Sequence, residues 1–212
     1  LLNIGEEEEK GNLLMQHADY DQITTRINDF ASKNPDDHST MIAVAEKLAR
    51  VAGQSQQALK ISENILRKVI DTDPANTQAN QTLAILLQFS DRGEEAVEFN
   101  QNILNAEPEN VIAMNNLAWA LSEEKGDHEK AIELANKGLE LAPNYADLLD
   151  TRGVAYFRLK QYDKAIEDFT TAISLYPNGA PGKVSANFHL ARTFAARQNK
   201  AEAKESLNQT ID

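Results

Sequence analysis

Residues 148–177 read LLDTRGVAYFRLKQYDKAIEDFTTAISLYP, and the spacing of their apolar residues decides the fold. One apolar stripe at helical spacing runs through the first half of this stretch, and a second stripe runs through the other half. The segment Lys160-Gln161-Tyr162-Asp163 interrupts the pattern and predicts a turn. Because proline lacks an amide hydrogen and restricts the residue before it, Pro177 marks the end of the second helix. The stripes consist of Leu149, Gly153 and Tyr156, and of Ala165, Phe169 and Ala172.

The proline signal recurs along the chain. Five of the six prolines stand at positions 35, 74, 108, 143 and 177, so that successive prolines are 39, 34, 35 and 34 residues apart. A unit of about 34 residues accommodates two helices of about four turns and two tight turns. No segment alternates apolar and polar residues as a half-buried strand would. The sequence therefore predicts an all-α chain built from repeated helix pairs.

Residues 148–177 resemble a tetratricopeptide repeat, whose pattern is Trp-x2-Leu-Gly-x2-Tyr, then Ala-x3-Phe, then Pro. Leu149 stands in place of the tryptophan, and Arg152 stands in place of the leucine. The resemblance implies an all-α, right-handed superhelical solenoid of about six antiparallel helix pairs in a single domain over residues 1–212. The matching residues are Gly153, Tyr156, Ala165, Phe169 and Pro177. The implied repeats are 4–37, 38–76, 77–110, 111–145, 146–179 and 184–212.

Small residues recur where the two helices of each unit should cross, because only a small side chain permits a close approach. One helix pair cannot bury its own apolar face, so the units should stack on one another. The first helices contribute Ala84, Ala118, Gly153 and Ala191, and the second helices contribute Ala96, Ala131, Ala165 and Ala203.

The resemblance is weaker toward both ends of the chain. In 38–76 the pattern predicts a shorter first helix and a longer second helix. Before the last repeat, residues 180–183 are interpreted as an insertion in a longer loop between repeats. The chain begins with Leu1-Leu2 and stops within the second helix of the sixth unit, so we expect a fragment of a longer array. Its end helices should fray or pack against another copy.

Composition argues against several classes of function. The chain has 33 acidic and 21 basic side chains and a net charge of −12, whereas a nucleic-acid binder needs a basic surface. It has no cysteine, and its four histidines form no His-x3-His pair. The segment Asp127-His128-Glu129 is interpreted as a solvated turn between helices. No apolar run is long enough to span a bilayer. We therefore expect no enzyme, no metal and no cofactor.

In the tetratricopeptide family the first helices line a concave groove in which peptides bind. Aromatic residues on this face would anchor a partner, and its amide side chains could bond a peptide backbone. An alternative for Trp119 is that it is simply half-buried between neighbouring helices. Asp147 and Asp150 should repel a carboxylate, so a partner held by its C-terminal carboxylate is not expected. The groove candidates are Gln78, Gln81, Ile85, Gln88, Ile112, Asn115, Trp119, Ser122, Asp147, Asp150, Val154, Phe157, Ser185, Phe188 and Arg192.

These observations predict a non-catalytic interaction scaffold that holds a protein or peptide segment. The repeats resemble those of prokaryotic repeat proteins associated with cell-envelope assembly and secretion. Residues 1–110 carry 19 acids and 9 bases and include the run Glu6–Glu9, so a basic segment of a partner should be steered there. Two alternatives stay open. The chain could recruit substrates for a larger enzyme such as a glycosyltransferase, or it could assemble with itself through its ends. The prediction leaves a cytoplasmic and a periplasmic location open.

Overall fold

The computed structural model describes residues 19–51, 55–123 and 125–209, and these residues contain eleven α-helices and no β-strand. The prediction of an all-α chain is therefore confirmed. The chain forms two compact units, Leu1–Ala106 and Glu107–Asp212. The first unit holds α1 (Tyr20–Lys33), α2 (His38–Val51), α3 (Gln56–Thr72), α4 (Thr77–Phe89) and α5 (Gly93–Ala106). The second unit holds α6 (Val111–Glu123), α7 (His128–Leu141), α8 (Ala146–Arg158), α9 (Tyr162–Leu175), α10 (Pro181–Ala196) and α11 (Lys200–Asn208).

Consecutive helices pack as hairpins, and each hairpin stacks on the next one within its unit. In the first unit the pairs are α2 with α3 and α4 with α5, and α1 packs on α3. In the second unit the pairs are α6 with α7, α8 with α9 and α10 with α11. We call α2, α4, α6, α8 and α10 the first helices. In the second unit α8 contacts both α6 and α10, so these three first helices lie side by side.

Three of the turns inside the hairpins share one backbone conformation. The left-handed conformation is adopted by Asp91, Lys160 and Gln198, with φ of 55°, 60° and 62°. The residue after each of them donates its amide to a carbonyl five residues earlier, for example Gln161 N to Tyr156 O at 2.9 Å. This arrangement satisfies carbonyls that the end of a helix would otherwise leave without a partner. The turn between α6 and α7 is one residue longer, and Gly126 takes the left-handed position there with φ of 69°.

Side chains cap the starts of several helices. Asp19, Ser55, Asn76 and Asp127 each accept a hydrogen bond from the backbone amide three residues later. Such caps satisfy amides that have no partner within the helix and contribute about 1 kcal/mol each. The prolines at 35, 74, 108, 143 and 177 all lie in the connections between hairpins. Proline therefore ends helices where the sequence predicted.

The interior of the second unit depends on close approach at a glycine. Gly153 lies in α8 against Phe169 of α9, and an added Cβ would lie only 2.6 Å from Phe169 Cε1. The Phe169 side chain is fully buried. Ala118, Ala131 and Ala165 are likewise buried, whereas Ala203 in α11 is half-buried. Backbone contact at these positions brings the helices close enough for the larger side chains to fill the remaining space.

Three local expectations are corrected. The predicted turn at Lys160–Asp163 is shorter, because Tyr162 and Asp163 already belong to the first turn of α9. Residues 181–183 are not a loop insertion: Pro181 occupies the first turn of α10, where its fixed φ and missing amide favour a helix start. In 38–76 the second helix is longer, at 17 residues, but the first helix has 14 residues and is no shorter than α4, α6 and α8, which have 13 residues each. Residues 1–18, including Glu6–Glu9, lie outside the described residues.

Candidate functional site

Polar side chains join the three first helices of the second unit. Thr151 Oγ1 on α8 donates a 2.8 Å hydrogen bond to Asn115 Oδ1 on α6. Farther along the same two helices, Arg158 Nε donates to Glu123 Oε1 at 2.9 Å, and a second guanidinium nitrogen donates to the other carboxylate oxygen. Two parallel bonds of this kind fix the geometry of the pair. The hydrogen bond to Glu123 raises the pKa of Arg158 above its ordinary value, so the guanidinium keeps its charge at neutral pH.

A second contact joins α8 to α10. His189 Nδ1 lies 3.0 Å from Asp150 Oδ1, and the side chains of both residues are largely buried. The His189 ring also lies against Phe169, with ring centroids 5.5 Å apart. The ring is therefore held in place by a carboxylate on one side and by a core aromatic ring on the other.

A small cleft of about 20 Å³ opens among these helices. Its base is apolar, because Val154 is 6% exposed and Phe169 is fully buried. Trp119 and Phe157 are half-buried and form part of its wall. The cleft is lined by Trp119, Glu123, Val154, Phe157, Arg158, Phe169, His189 and Arg192. The lining combines apolar side chains with a few charged groups, and the volume is well below the roughly 300 to 1,000 Å³ of a small-molecule pocket.

Arg192 is held at the rim by aromatic rings. Its guanidinium carbon lies 5.2 Å from the centroid of Phe157 and 5.7 Å from that of Phe188. Both distances fall within the range of cation–π attraction. Arg192 is exposed, as is Phe188, which is 47% exposed. The cation is therefore positioned without the help of a carboxylate.

The structure brings together only part of the face that the sequence predicted. Trp119, Phe157 and Arg192 line the cleft, and Asn115 lies one turn before Trp119 on α6. Ile112 is 51% exposed. Asp147 is exposed at the start of α8, where it accepts a 2.6 Å hydrogen bond from Tyr176 Oη.

Three candidates are not available on an open surface. Asp150 is buried and pairs with His189, so its charge is not presented to a partner as the sequence predicted. Val154 is buried in the core cluster of α8, α9 and α10 and reaches only the base of the cleft. Ser122 is also buried, and its hydroxyl lies 3.1 Å from His128 Nδ1. A helical-wheel offset within one repeat identified these positions but could not show which neighbouring helix covers them.

The candidates in the first unit form a separate, more polar set on α4. Gln78 is exposed, Gln81 and Gln88 are half-buried, and Ile85 is 38% exposed. Glu46 of α2 accepts hydrogen bonds from Gln78 Nε2 at 3.1 Å and from Thr82 Oγ1 at 3.2 Å. Because Gln78 is already bonded within the unit, only part of its amide is available to a partner.

Sequence reasoning missed the charged rim of the cleft. Glu123 and Arg158 are one repeat length apart, at the same place on consecutive first helices, so the repeat spacing carries a signal for their pairing. His189 was weighed only as a metal ligand. Within the part of the chain that the structure describes, no group of three or more His, Cys, Asp or Glu side chains could hold a metal ion. Asp127 instead caps α7, and His128 belongs to that helix rather than to a loop.

None of the described helices is both long and apolar enough to cross a membrane.

Two hairpins of the second unit match known repeats. Residues 111–145 and 151–178 each match a family model described as a tetratricopeptide repeat. The chain belongs to the tetratricopeptide repeat family. Together with the eleven described helices, these matches make the chain an all-α helical-repeat solenoid.

One protein of known sequence and two solved structures illustrate what this chain is similar to. Human DnaJ homolog subfamily C member 7 is 32% identical over 154 residues, which cover 65% of this chain and 30% of the human protein. This chain thus spans less than a third of that relative's length. The structure of PilW, described as a widely conserved type IV pilus biogenesis factor, has a TM-score of 0.70 at 17% identity, over 82% of this chain and 76% of PilW. YrrB, described as a TPR protein with an unusual peptide-binding site, has a TM-score of 0.63 at 20% identity, over 88% of this chain and 91% of YrrB.

Tetratricopeptide repeats are typical of non-catalytic scaffolds, because stacked hairpins present an extended surface rather than an enclosed active site. The family match and the fold support a protein-interaction scaffold.

Proposed function

We propose that this tetratricopeptide protein binds a peptide segment of another protein on the face of α6, α8 and α10. The observation that carries the proposal is the cleft in which an apolar base of Val154 and Phe169 lies beneath the aromatic rings of Trp119 and Phe157. Binding energy in protein interfaces concentrates in a few aromatic and arginine residues around a desolvated pocket. The cleft has this composition, and the ion pair of Glu123 with Arg158 fixes one side of it.

Asn115 suits a peptide that continues beyond the cleft. Its side-chain oxygen accepts the hydrogen bond from Thr151, which leaves the amide nitrogen to donate to a peptide carbonyl. An extended segment that crosses three helices about 10 Å apart needs roughly six to eight residues. The resemblance to YrrB supports peptide recognition as the mode of action, since that protein is described by its peptide-binding site.

The biological setting that we propose is the assembly or secretion machinery of a cell envelope. The resemblance to PilW supports this setting, because PilW is described as a pilus biogenesis factor. A second proposal is that the chain recruits partners for a longer protein. It is favoured by the match to the DnaJ homolog, in which the similar part makes up 30% of the relative. Reading the complete gene would distinguish the two settings.

The experiment is a selection from a displayed library of random eight-residue peptides on the immobilised chain. We expect enriched peptides to lose binding to a variant that carries Trp119→Ala and Asn115→Ala. The matched control is Phe89→Ala, which removes an aromatic side chain that is 89% exposed in the first unit. Enriched peptides that bind the double variant as well as the wild type would refute the proposed face. A library that yields no binder to the wild type would refute peptide binding itself.

A further inference from the structure

Arg192 differs from the other arginines of the second unit in having no acceptor. Arg152 pairs with Asp168, Arg158 with Glu123 and Arg197 with Asp163. Among the described residues, by contrast, Arg192 has no ion pair and no hydrogen-bond acceptor, and its guanidinium lies over the rings of Phe157 and Phe188. A guanidinium group has five N–H donors in a rigid fork that matches a carboxylate. The aromatic rings hold this fork at the rim of the cleft without using its donors.

The carboxylates near the cleft are already engaged and leave the Arg192 charge uncompensated. Glu123 receives two hydrogen bonds from Arg158, and Asp150 is buried against His189. Trp119 adds a second donor, because its indole nitrogen has no acceptor within the described residues. Two unused donors, one of them charged, therefore flank an apolar surface, and the carboxylates of Glu123 and Asp150 beside them are already paired.

We propose that the cleft recognises an internal acidic residue placed next to a bulky apolar residue in the bound segment. The proposal rests on the proposed function and names the chemistry of its partner. The apolar side chain would cover Trp119, Val154 and Phe157, and the Asp or Glu carboxylate would pair with Arg192. A charge-assisted bond of this kind is stronger than a bond between neutral groups.

The carboxylate is assigned to a side chain rather than to a chain terminus. On the other side of Trp119, the face continues with the free amide nitrogen of Asn115, which suits a main chain running onward. A partner bound in this way differs from the basic segment that the acidic residues 1–110 predict, because the cleft lies in the other unit and presents a cation.

The chain contains its own reporter for the test. Trp119 is the single tryptophan among the 212 residues, so its fluorescence responds to a ligand at the cleft. The probes are eight-residue peptides with acetylated and amidated ends, which carry Leu-Glu, Leu-Gln, Leu-Lys or Ala-Glu at the centre of a Gly-Ser background. A further peptide carries Leu-Gln and ends in a free carboxylate. Titration of the intact chain with each peptide gives its Kd.

We expect the Leu-Glu peptide to bind about 2- to 5-fold more tightly than the Leu-Gln peptide, because Arg192 is exposed and solvent screens an exposed ion pair. Arg192→Gln should remove this difference, and Arg192→Glu should reverse it so that the Leu-Lys peptide is preferred. The matched control is Arg197→Gln, which removes the same charge directly after α10 at a residue that pairs with Asp163. This control should leave the preference unchanged.

Other outcomes would overturn the inference. Equal binding of the Leu-Glu and Leu-Gln peptides would show that the cleft recognises only the apolar residue. Binding that requires the free terminal carboxylate would show that Arg192 binds the C-terminus of a partner rather than an internal acidic residue. If no acidic peptide binds but the selected library peptides do, the acidic preference fails while the proposed function stands. If neither group of peptides changes the Trp119 fluorescence or binds by a second method, both proposals fail.

Discussion

The glycine at the crossing of α8 and α9 allows the sharpest test of the packing. In the Gly153→Ala variant, the new Cβ would lie 2.6, 2.8 and 3.0 Å from Phe169 Cε1, Cδ1 and Cζ. Carbon atoms in contact are normally about 3.5 to 4.0 Å apart, so the ring has to move by about 1 Å. Phe169 is fully buried, and therefore neighbouring side chains have to move with it.

Two opposing contributions set the size of the effect. Overpacking of a filled core costs about 1 to 3 kcal/mol. Alanine in a helix is favoured over glycine by about 0.8 to 1 kcal/mol, which offsets part of that cost. We therefore expect Gly153→Ala to lower the free energy of unfolding by about 1 kcal/mol. In a Phe169→Leu background the clash is relieved, and the same substitution should raise stability by about 0.5 to 1 kcal/mol.

The assay is urea unfolding of the four members of this double-mutant cycle, followed by the fluorescence of Trp119 in the second unit. A matched control is Gly126→Ala, at a glycine with φ of 69° and no atom within 4 Å of the added Cβ. Its cost comes from the backbone and should add independently to that of Phe169→Leu. If Gly153→Ala stabilises the wild type as much as it stabilises the Phe169→Leu variant, the close approach at Gly153 is refuted.

Two further perturbations test the polar contacts. Asp150→Ala should lower the free energy of unfolding by about 1 to 3 kcal/mol, because His189 Nδ1 would lose its partner in a largely buried site. Asp150→Asn keeps an acceptor and should cost less; equal urea midpoints for Asp150→Ala and the wild type would contradict the pairing. In the first unit, hydrogen bonding from Arg92 holds the pKa of Glu63 below its ordinary value of 4.5. The stabilisation is therefore present above about pH 4.5 and is lost as the pH falls through the lower folded value. Urea unfolding followed by circular dichroism at pH 7, 5 and 3 should show a flatter pH dependence for Glu63→Gln, and parallel curves would contradict this role of Glu63.

The helix pairs could be predicted from sequence because each one is encoded locally. Residues 146–177 contain a complete hairpin and the proline that follows it, and each signal acts within a few residues of its position. The start of α10 was predicted wrongly for a local reason as well. Pro181 and Gly182 resemble a loop by composition, yet proline in the first turn is typical of a helix start. Gly182 is also the position where an added Cβ would lie 2.5 Å from Tyr176 Cε1.

The candidate site could be predicted only in part because its contacts join different repeats. Asp150 and His189 are 39 residues apart, and no pattern within one repeat shows that they meet. Helical spacing predicts that Trp119 lies on the exposed face of its helix. It does not predict that Arg192 lies beside Trp119 at the cleft. Arg192 was recognised as a face residue, whereas its placement between Phe157 and Phe188 depends on how α8 and α10 stack. Partners at equivalent positions of stacked helices, such as Glu123 and Arg158, follow the repeat spacing, whereas partners at different positions, such as Asp150 and His189, do not.

The short sequence separation between hydrogen-bonded residues affects how the protein folds during its synthesis. In the described residues, side-chain hydrogen bonds between helices join positions no more than 40 residues apart. Proteins dominated by such local contacts fold fast, and a nascent chain folds from its N-terminal end during synthesis. Each hairpin can therefore form soon after it leaves the ribosome. The cleft is completed late, since Trp119 and Phe157 are synthesised well before His189 and Arg192. A ribosome stalled near residue 180 would display stacked hairpins that lack the cation, and partner capture would await the last helices.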